Sequence, residues 1–427
     1  MIDLKKLRQD PEDVRACLSR RGDPLLAAVL DQVLDLDRRR RELLTEVERL
    51  KAERNAASQE VARRKRANEA ADDLLEELTA SGERVKALDD EVRAVNADLD
   101  SQLLTIPNLP HPDVPDGDAT ANRTLRSWGE QPTFAFDPKP HWDLGASLGI
   151  MDLPRGAKIS GSGFPLLTGR GAKLARALIN FMLDLHTEEH GYLEVAPPFL
   201  VNRAAITGTG QLPKFGDELY RIDSDDLYLI PTAEVPVTGL HADEMLDAAG
   251  LPLAYTAYTP CFRREAGAHG KDTRGLIRVH QFDKVELVRF TTPSESPAEH
   301  ERLTGHAEEV LRRLELPYRV VELAAGDTGF ASARTYDLEV WAAGVGTWLE
   351  VSSSSTFTDF QARRSNIRYR PAPKAKPEFV HTLNASGVAL PRAIIALLEN
   401  NQASDGSVSL PAALVPYVGA ERLVPGA

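Results

Sequence analysis

Two long runs of heptad-spaced apolar residues restrict the fold of this chain more than any other feature. The first seam is Val29, Val33, Leu36, Arg40, Leu43, Val47, Leu50, Arg54, Ala57 and Val61, with eight of ten positions apolar and spacings alternating between four and three. The second is Leu74, Leu78, Ser81, Val85, Leu88, Val92, Val95 and Leu99, with seven of eight apolar. A short polar stretch, residues 63–68, lies between them. Two such seams with a short link predict a helical hairpin, an antiparallel two-stranded coiled coil. A helix of ~35 residues is roughly 50 Å long, so the hairpin is expected to project as an arm. Leu109-Pro110 and His111-Pro112-Asp113 end the helical pattern. The expected domains are therefore residues 1–108 and 115–427.

The full chain of 427 residues carries a formal charge of −13, which taken whole argues against a phosphate-rich partner. The charge is unevenly spread. Residues 38–66 hold 11 Lys/Arg against 5 Asp/Glu, whereas residues 68–100 hold 3 against 11. Cross-helix pairing accounts for part of this. The clusters at 38–41 and 63–66 are denser than pairing needs, so a phosphate-binding outer face on the first helix is the competing reading. The arm alone leaves both open. No run of ~18 apolar residues is present, so no membrane-spanning helix is expected. The first residues lack the apolar core of a signal peptide. Only Cys17 and Cys261 occur, far apart, which points to a reducing, cytoplasmic setting.

Beyond residue 115 the texture changes to short β-rich runs broken by Gly and Pro. Strands are expected at 227–230, 254–258, 275–279, 285–287, 319–323, 337–341 and 347–351, and helices at 173–189, 297–314 and 392–401. Long crossover helices between successive strands are scarce. The fold class is therefore α+β, with a mostly antiparallel sheet flanked by helices.

Common nucleotide and hydrolase signatures fail. The nearest approach to a P-loop, residues 267–273, lacks the first glycine and has Asp272 after Lys271. No G-x-G-x-x-G follows a strand, and Ser352 to Ser355 is not a G-x-S-x-G elbow. No His-x-x-x-His pair or cysteine cluster suggests a catalytic zinc site, so no zinc is expected. What remains is a set of polar residues at strand ends and turns: Thr232-Ala233-Glu234, Arg263-Arg264-Glu265, the stretch 279–286, Glu350-Val351-Ser352-Ser353, 384–387 and Arg392. Arginines can clamp a phosphoryl group. A carboxylate with a nearby hydroxyl can hold Mg²⁺ through oxygen. Further carboxylates can bind an ammonium group. Together the set suits a nucleotide and an amino acid, although each piece alone has an ordinary structural use, such as a cross-strand ion pair or a helix cap.

The segments PTAEVP (231–236), CFRREAGAHGKDTRGLIRVHQFDKVEL (261–287), TYDLEVW (335–341), LEVSSSS (349–355), DFQARRSNIRYR (359–370) and HTLNASGVALPR (381–392), preceded by the arm, resemble the seryl-tRNA synthetases of bacterial type, a class II aminoacyl-tRNA synthetase family. The resemblance runs along essentially the whole chain. It implies a tRNA-binding hairpin joined to a six-stranded antiparallel catalytic domain that dimerises, with residues 191–198 as motif 1 at the dimer interface. It implies activation of L-serine by Mg²⁺-ATP and transfer to serine tRNA, with selenocysteine tRNA as a further acceptor where one exists.

Residue roles follow from the same resemblance. Arg263 and Arg392 would be catalytic, flanking the phosphates. ATP would be held by Arg263, Arg264, Glu265, Val279, Phe282, Glu350, Val351, Ser352, Ser353 and Arg392, with Phe282 stacked on adenine. Glu350 and Ser353 would bind Mg²⁺. Thr232, Ala233, Glu234, Glu286 and Ser386 would form the serine pocket. The long variable arm of the tRNA would lie on the hairpin, at Arg38, Arg41, Arg63, Arg64, Lys65 and Arg66.

Three positions depart from the family pattern. Ser354 stands where many relatives have Cys, Ala385 where Gly is common, and Gly163 where Arg is common. Ser354 and Ala385 are expected beside the pocket. They motivate an alternative, a duplicate enzyme that tolerates an inhibitor or serves a biosynthetic pathway. A carrier-protein ligase is opposed by the arm and by the lack of zinc-binding cysteines. A non-catalytic tRNA-binding protein is opposed by Arg263, Glu350 and Arg392.

Overall fold

The computed structural model describes residues 1–266 and 274–426. Two compact units are present. One comprises Ile2–Ser19 and Asp23–Ile106; the other comprises Met1, Arg20–Gly22 and Pro107–Ala427.

The first unit is dominated by α1 (Leu26–Arg66, 41 residues) and α2 (Asp72–Thr105, 34 residues). The five residues 67–71 reverse the chain, with Asn68 in the left-handed region at φ 54°, a conformation asparagine tolerates better than most residues. Leu43 and Val47 pack against Val92 and Leu88, which sets the helices antiparallel. Leu30, Val33 and Val61 on α1 and Val85, Leu99 and Leu103 on α2 are also buried. The expected seam is displaced in one place. Asp37, only 1% exposed, is buried where Leu36 and Arg40 were expected. An α-helix drifts relative to a strict 3.5-residue repeat, and two short helices, Leu4–Gln9 and Pro11–Ser19, supply further packing partners to this unit. Asp37 accepts hydrogen bonds from Arg8 (3.0 Å), Arg40 (3.0 Å) and Arg41 (3.2 Å). Those bonds offset the cost of removing a carboxylate from water.

The second unit is built on an eight-stranded sheet. Its strands are β1 (Arg123–Trp128), β2 (Leu193–Glu194), β3 (Leu253–Phe262), β4 (Gln281–Thr291), β5 (Tyr318–Glu322), β6 (Arg334–Ala342), β7 (Thr347–Thr358) and β8 (His381–Ala389). Their order is β1-β5-β6-β7-β8-β4-β3-β2. Every neighbouring pair is antiparallel except the short edge pair β2–β3. The six inner strands are thus the expected antiparallel set, and β1 and β2 extend it at the edges.

Helices α3 (Arg170–Asp184), α4 (Ser296–Arg313) and α5 (Leu390–Asn400) share one apolar core with the sheet: Leu174, Leu178, Val310, Leu311, Ile394 and Leu397 pack with Val285, Val320 and Leu338. Strand alternation leaves Lys284, Glu286, Asn384 and Ser386 for the opposite face. Two bulges alter that alternation. One places Val351 as the extra residue between Glu350 and Ser352; the other places Gly387 between Ser386 and Val388.

Two local expectations are corrected. Residues 275–279 form no strand. Gly275 has φ +69°, a Cβ there would lie 2.1 Å from His141 Nε2, and the Leu276 amide donates to that nitrogen at 2.9 Å. Glu399 holds the far side of the same ring at 2.7 Å, so this backbone bonds to a side chain rather than a strand. The expected helix 173–189 stays regular only to Asp184. It then widens, with the His190 amide donating to the Leu185 carbonyl five residues back.

Candidate active site

The polar residues on the open face of the sheet surround two adjoining cavities. The smaller, about 190 Å³, is lined by Arg263, Glu265, Val279, Phe282 and Arg392 among others. The larger, about 410 Å³, is lined by Thr232, Glu234, Glu286, Ser353 and Asn384 among others. Arg263, Lys284, Glu350 and Ser386 line both and so stand at their junction.

Arg263 directly follows β3. Its amide donates to the His280 carbonyl at 2.9 Å, and the His280 Nδ1 proton is donated back to the Arg263 carbonyl at 3.0 Å. The side chain is steered by Nε, which donates to the Pro231 carbonyl at 3.3 Å, and by the Phe282 ring, 5.1 Å from the guanidinium. Among the described residues no carboxylate lies within ion-pair distance of Arg263. Its charge is therefore available to an anion in either cavity.

Arg392, near the start of α5, donates to the Glu350 carbonyl at 2.6 Å and lies 3.5 Å from the Glu350 carboxylate. Glu265 has φ 49° and is paired with Arg278 at 2.5 Å. A non-glycine residue in that region is uncommon and is held here by its partners.

The larger cavity contains a buried charge network. Lys284 Nζ donates to Thr232 Oγ1 at 2.8 Å and meets Glu286 at 2.5 Å. Asn384 donates to the other oxygen of Glu286 at 3.0 Å. Burial raises the Glu286 carboxyl above its ordinary range, and Lys284 opposes the shift. Glu234 is raised to about 7, first by burial and then by repulsion from Glu286. On β6, Asp337 faces Ser353 across the strand pair; burial and the nearby Glu350 push its carboxyl well up, and its Oδ1 has no hydrogen-bond partner. Glu350, Ser353 and Asp337 form an oxygen-only donor set, which fits a hard cation such as Mg²⁺ and not a thiolate- or imidazole-seeking one.

Most of the sequence-derived residues converge here. Arg264, Ala233 and Ser352 line neither cavity. Arg264 lies over the Tyr220 ring, Ala233 is in the apolar cluster with Val237, and the Ser352 hydroxyl donates to the Ser386 carbonyl at 2.6 Å. Lys284 and Asn384 lay in the candidate polar stretches but were given no role, and Asp337, Arg278 and Gln361 were given none either. Lys284 and Asn384 were readable from strand alternation, two residues from Glu286 and Ser386.

Ser354 and Ala385 are corrected. They face each other across β7 and β8 and point away from the pocket, toward α4. The Ser354 hydroxyl lies 2.9 Å from that of Thr304, and Ala385 packs with Leu303. Gly163, at φ +81°, leaves room for His280, whose ring would lie 2.5 Å from a Cβ.

Contrary to the expectation of no such motif, His186 and His190 are a His-x-x-x-His pair. Their Nδ1 atoms lie 3.0 Å apart and bond to each other, and His306 stacks on His190. The P-loop-like stretch 267–273 lies outside the described residues.

On the arm, Arg38 pairs with Asp35, Arg41 with Asp37, Arg63 with Glu60 and Glu69, and Arg64 with Glu60 and Asp73. Lys65 and Arg66 have no ion pair among the described residues.

An antiparallel sheet with an arginine after one inner strand, a second arginine opening a following helix, one cavity lined by both and a second adjoining it at the first arginine has the architecture of a class II aminoacyl-tRNA synthetase core. Residues 218–401 match the family described as "tRNA synthetase class II core domain (G, H, P, S and T)". The fold is shared with Giardia lamblia prolyl-tRNA synthetase (TM-score 0.56, 14% identity, 66% of this chain and 58% of that one).

Within that class the similarity narrows. Residues 1–110 match "Seryl-tRNA synthetase N-terminal domain". The serine–tRNA ligase of Geobacter sulfurreducens is 56% identical over 420 residues, 98% of this chain and 99% of its own length. The crystal structure of seryl-tRNA synthetase from Pyrococcus horikoshii complexed with ATP superposes with a TM-score of 0.96 at 41% identity, covering 100% of both chains. The cytoplasmic serine–tRNA ligase of Naegleria fowleri in complex with AMP gives 0.90 at 28%, covering 100% and 99%. The chain belongs to the seryl-tRNA synthetase family. Among the described residues no helix is long and apolar enough to cross a membrane.

Proposed function

We propose that this enzyme activates L-serine with ATP and transfers it to serine tRNA. The observation that carries the reading is the position of Arg263 at the junction of two cavities, with no carboxylate among the described residues pairing its charge. The smaller cavity takes ATP, with adenine on Phe282, its amino group near Glu265, and backbone contacts from Val279. Arg392 faces the outer phosphates. The larger cavity takes serine, with Glu234 and Thr232 toward its ammonium group and Glu286 and Ser386 toward its hydroxyl.

In the first step a serine carboxylate oxygen attacks the α-phosphorus, the bond to the bridging oxygen breaks, and pyrophosphate leaves. Arg263 spans both reactants and neutralises charge as it shifts between them. In the second step the terminal ribose hydroxyl of the tRNA attacks the seryl carbonyl, and AMP departs with the electrons of the broken acyl–phosphate bond. Glu350 and Ser353 would hold Mg²⁺, which supplies further neutralisation of phosphate charge when bound. A substrate lacking the hydroxyl leaves the buried groups around Glu286 unpaired, which can reject it by ~10⁴-fold.

The arm serves the tRNA. RNA helices are contacted mainly through phosphates and sugars. Lys65 and Arg66, with no ion pair among the described residues, carry charge for that purpose, and Arg38, Arg41, Arg63 and Arg64 exchange partners at lower net gain. A homodimer formed through residues 191–198 completes the assembly. Serine-dependent ATP–pyrophosphate exchange, followed by charging of purified serine tRNA, tests the reading. Exchange with another amino acid in preference to serine would refute it.

A further inference from the structure

Behind Glu234 lies a hydrogen-bond chain that none of the roles above uses. Gln361, fully buried on the short helix Phe360–Ser365, donates from Nε2 to Glu234 Oε1 at 2.6 Å and to the Thr209 carbonyl at 3.2 Å. Its Oε1 accepts from the Thr382 hydroxyl at 2.7 Å. With both ends engaged the amide has one good orientation, because flipping it would set its oxygen against two acceptors.

The charges facing Glu234 are unequally shared. Lys284 and Glu286, both on β4, are bound to each other at 2.5 Å. Arg263, after β3, is steered toward Pro231 and Phe282. From β8 comes the neutral Thr382, and from the segment before Glu234 the neutral Thr232. Of the three carboxylates among the described residues that line the larger cavity, Glu286 has Lys284 and Glu350 has Arg392. Glu234 has, among the described residues, an amide as its side-chain hydrogen-bond partner and no cation within ion-pair distance; Lys284 and Arg263 favour its ionised form only from farther off.

We propose that Gln361 is a positioning residue that holds Glu234, which has no cation within ion-pair distance among the described residues, so that the substrate's α-ammonium group supplies a direct counter-ion and its binding expels a proton from Glu234. The proposal rests on the serine-activating reading. With Glu234 raised to about 7 in the free enzyme, the acid is mostly protonated below that pH. The ammonium binds its ionised form, so affinity falls as pH drops through 7 and levels off above it.

Calorimetric titration of L-serine into the full-length protein without ATP, in two buffers of different ionisation enthalpy, reads this directly. The expected dissociation constant is about tenfold weaker at about pH 6 than at about pH 8, with close to one proton released per serine at the lower pH. Gln361→Met keeps side-chain length and removes the donor. It should raise the serine KM about tenfold, leave the ATP KM unchanged, and move the pH midpoint upward, because the ionised acid loses a hydrogen bond. Equal affinity at both pH values with equal enthalpies in both buffers would overturn the proposal, whether or not the variant folds. So would a Gln361→Met enzyme whose kcat falls and whose two KM values rise together. Absence of serine binding at every pH would instead overturn the serine-activating reading.

Discussion

Replacing Arg263 with alanine removes a cation that lines both cavities and, among the described residues, has no carboxylate within ion-pair distance. In the structure Nε is engaged by the Pro231 carbonyl, which leaves the two terminal guanidinium nitrogens for ligand. Each charge-assisted hydrogen bond is worth about 1.5–3 kcal/mol, so two amount to about 3–6 kcal/mol of transition-state stabilisation, or roughly 10²–10⁴ in rate. The expected result is a fall of at least about 10²-fold in kcat/KM for serine-dependent ATP–pyrophosphate exchange. Arg263→Lys should recover only part of it, since a point charge replaces a planar fork. Thermal unfolding should be nearly unchanged, because the side chain makes one backbone hydrogen bond and one ring contact. Exchange within about tenfold of the parent enzyme, in a folded Arg263→Ala protein, would refute the reasoning.

Deleting residues 30–100 should leave pyrophosphate exchange intact while sharply raising the tRNA KM in charging assays; unchanged charging would contradict the role given to the arm. Asp37→Ala strands three arginines around an empty buried site and should destabilise the arm by about 2 kcal/mol, read as an earlier loss of helical circular dichroism on heating. Because Ser354 and Ala385 face away from the pocket, Ser354→Cys and Ala385→Gly should leave the serine KM and inhibition by a seryl-adenylate analogue unaltered. A marked change in either would restore the case for an inhibitor-tolerant duplicate.

Periodicity made the large features legible. The heptads predicted α1 and α2, and the scarcity of crossover helices predicted an antiparallel sheet. The misses share a physical cause, in that a partner distant in sequence decided the outcome. Residues 275–279 are β-rich in composition, yet His141 and Glu399 claim their backbone. Asp37 looks like an outer-face residue until Arg8 arrives from a preceding helix. Gln361 carries no signal of its own, because its significance lies in Thr382 and Glu234 meeting it from two other elements. Ser354 and Ala385 were misplaced for a simpler reason. They adjoin pocket residues in the chain, and adjacency along a strand means opposite faces.

The two bulges carry a consequence for how such a site can change over time. Glu350 is even-numbered, while Ser353 and Ser355 are odd, and all three reach the larger cavity because Val351 is inserted between them. On β8, Asn384 and Ser386 face the cavity, and Gly387 then lets Val388 turn into the core. Losing either extra residue would exchange every side chain beyond it between solvent and interior at a single stroke. Substitution can therefore adjust this catalytic surface one group at a time, but a one-codon deletion within β7 or β8 replaces it wholesale. Length variation tolerated by the enzyme should fall in its connecting loops and be excluded from these strands.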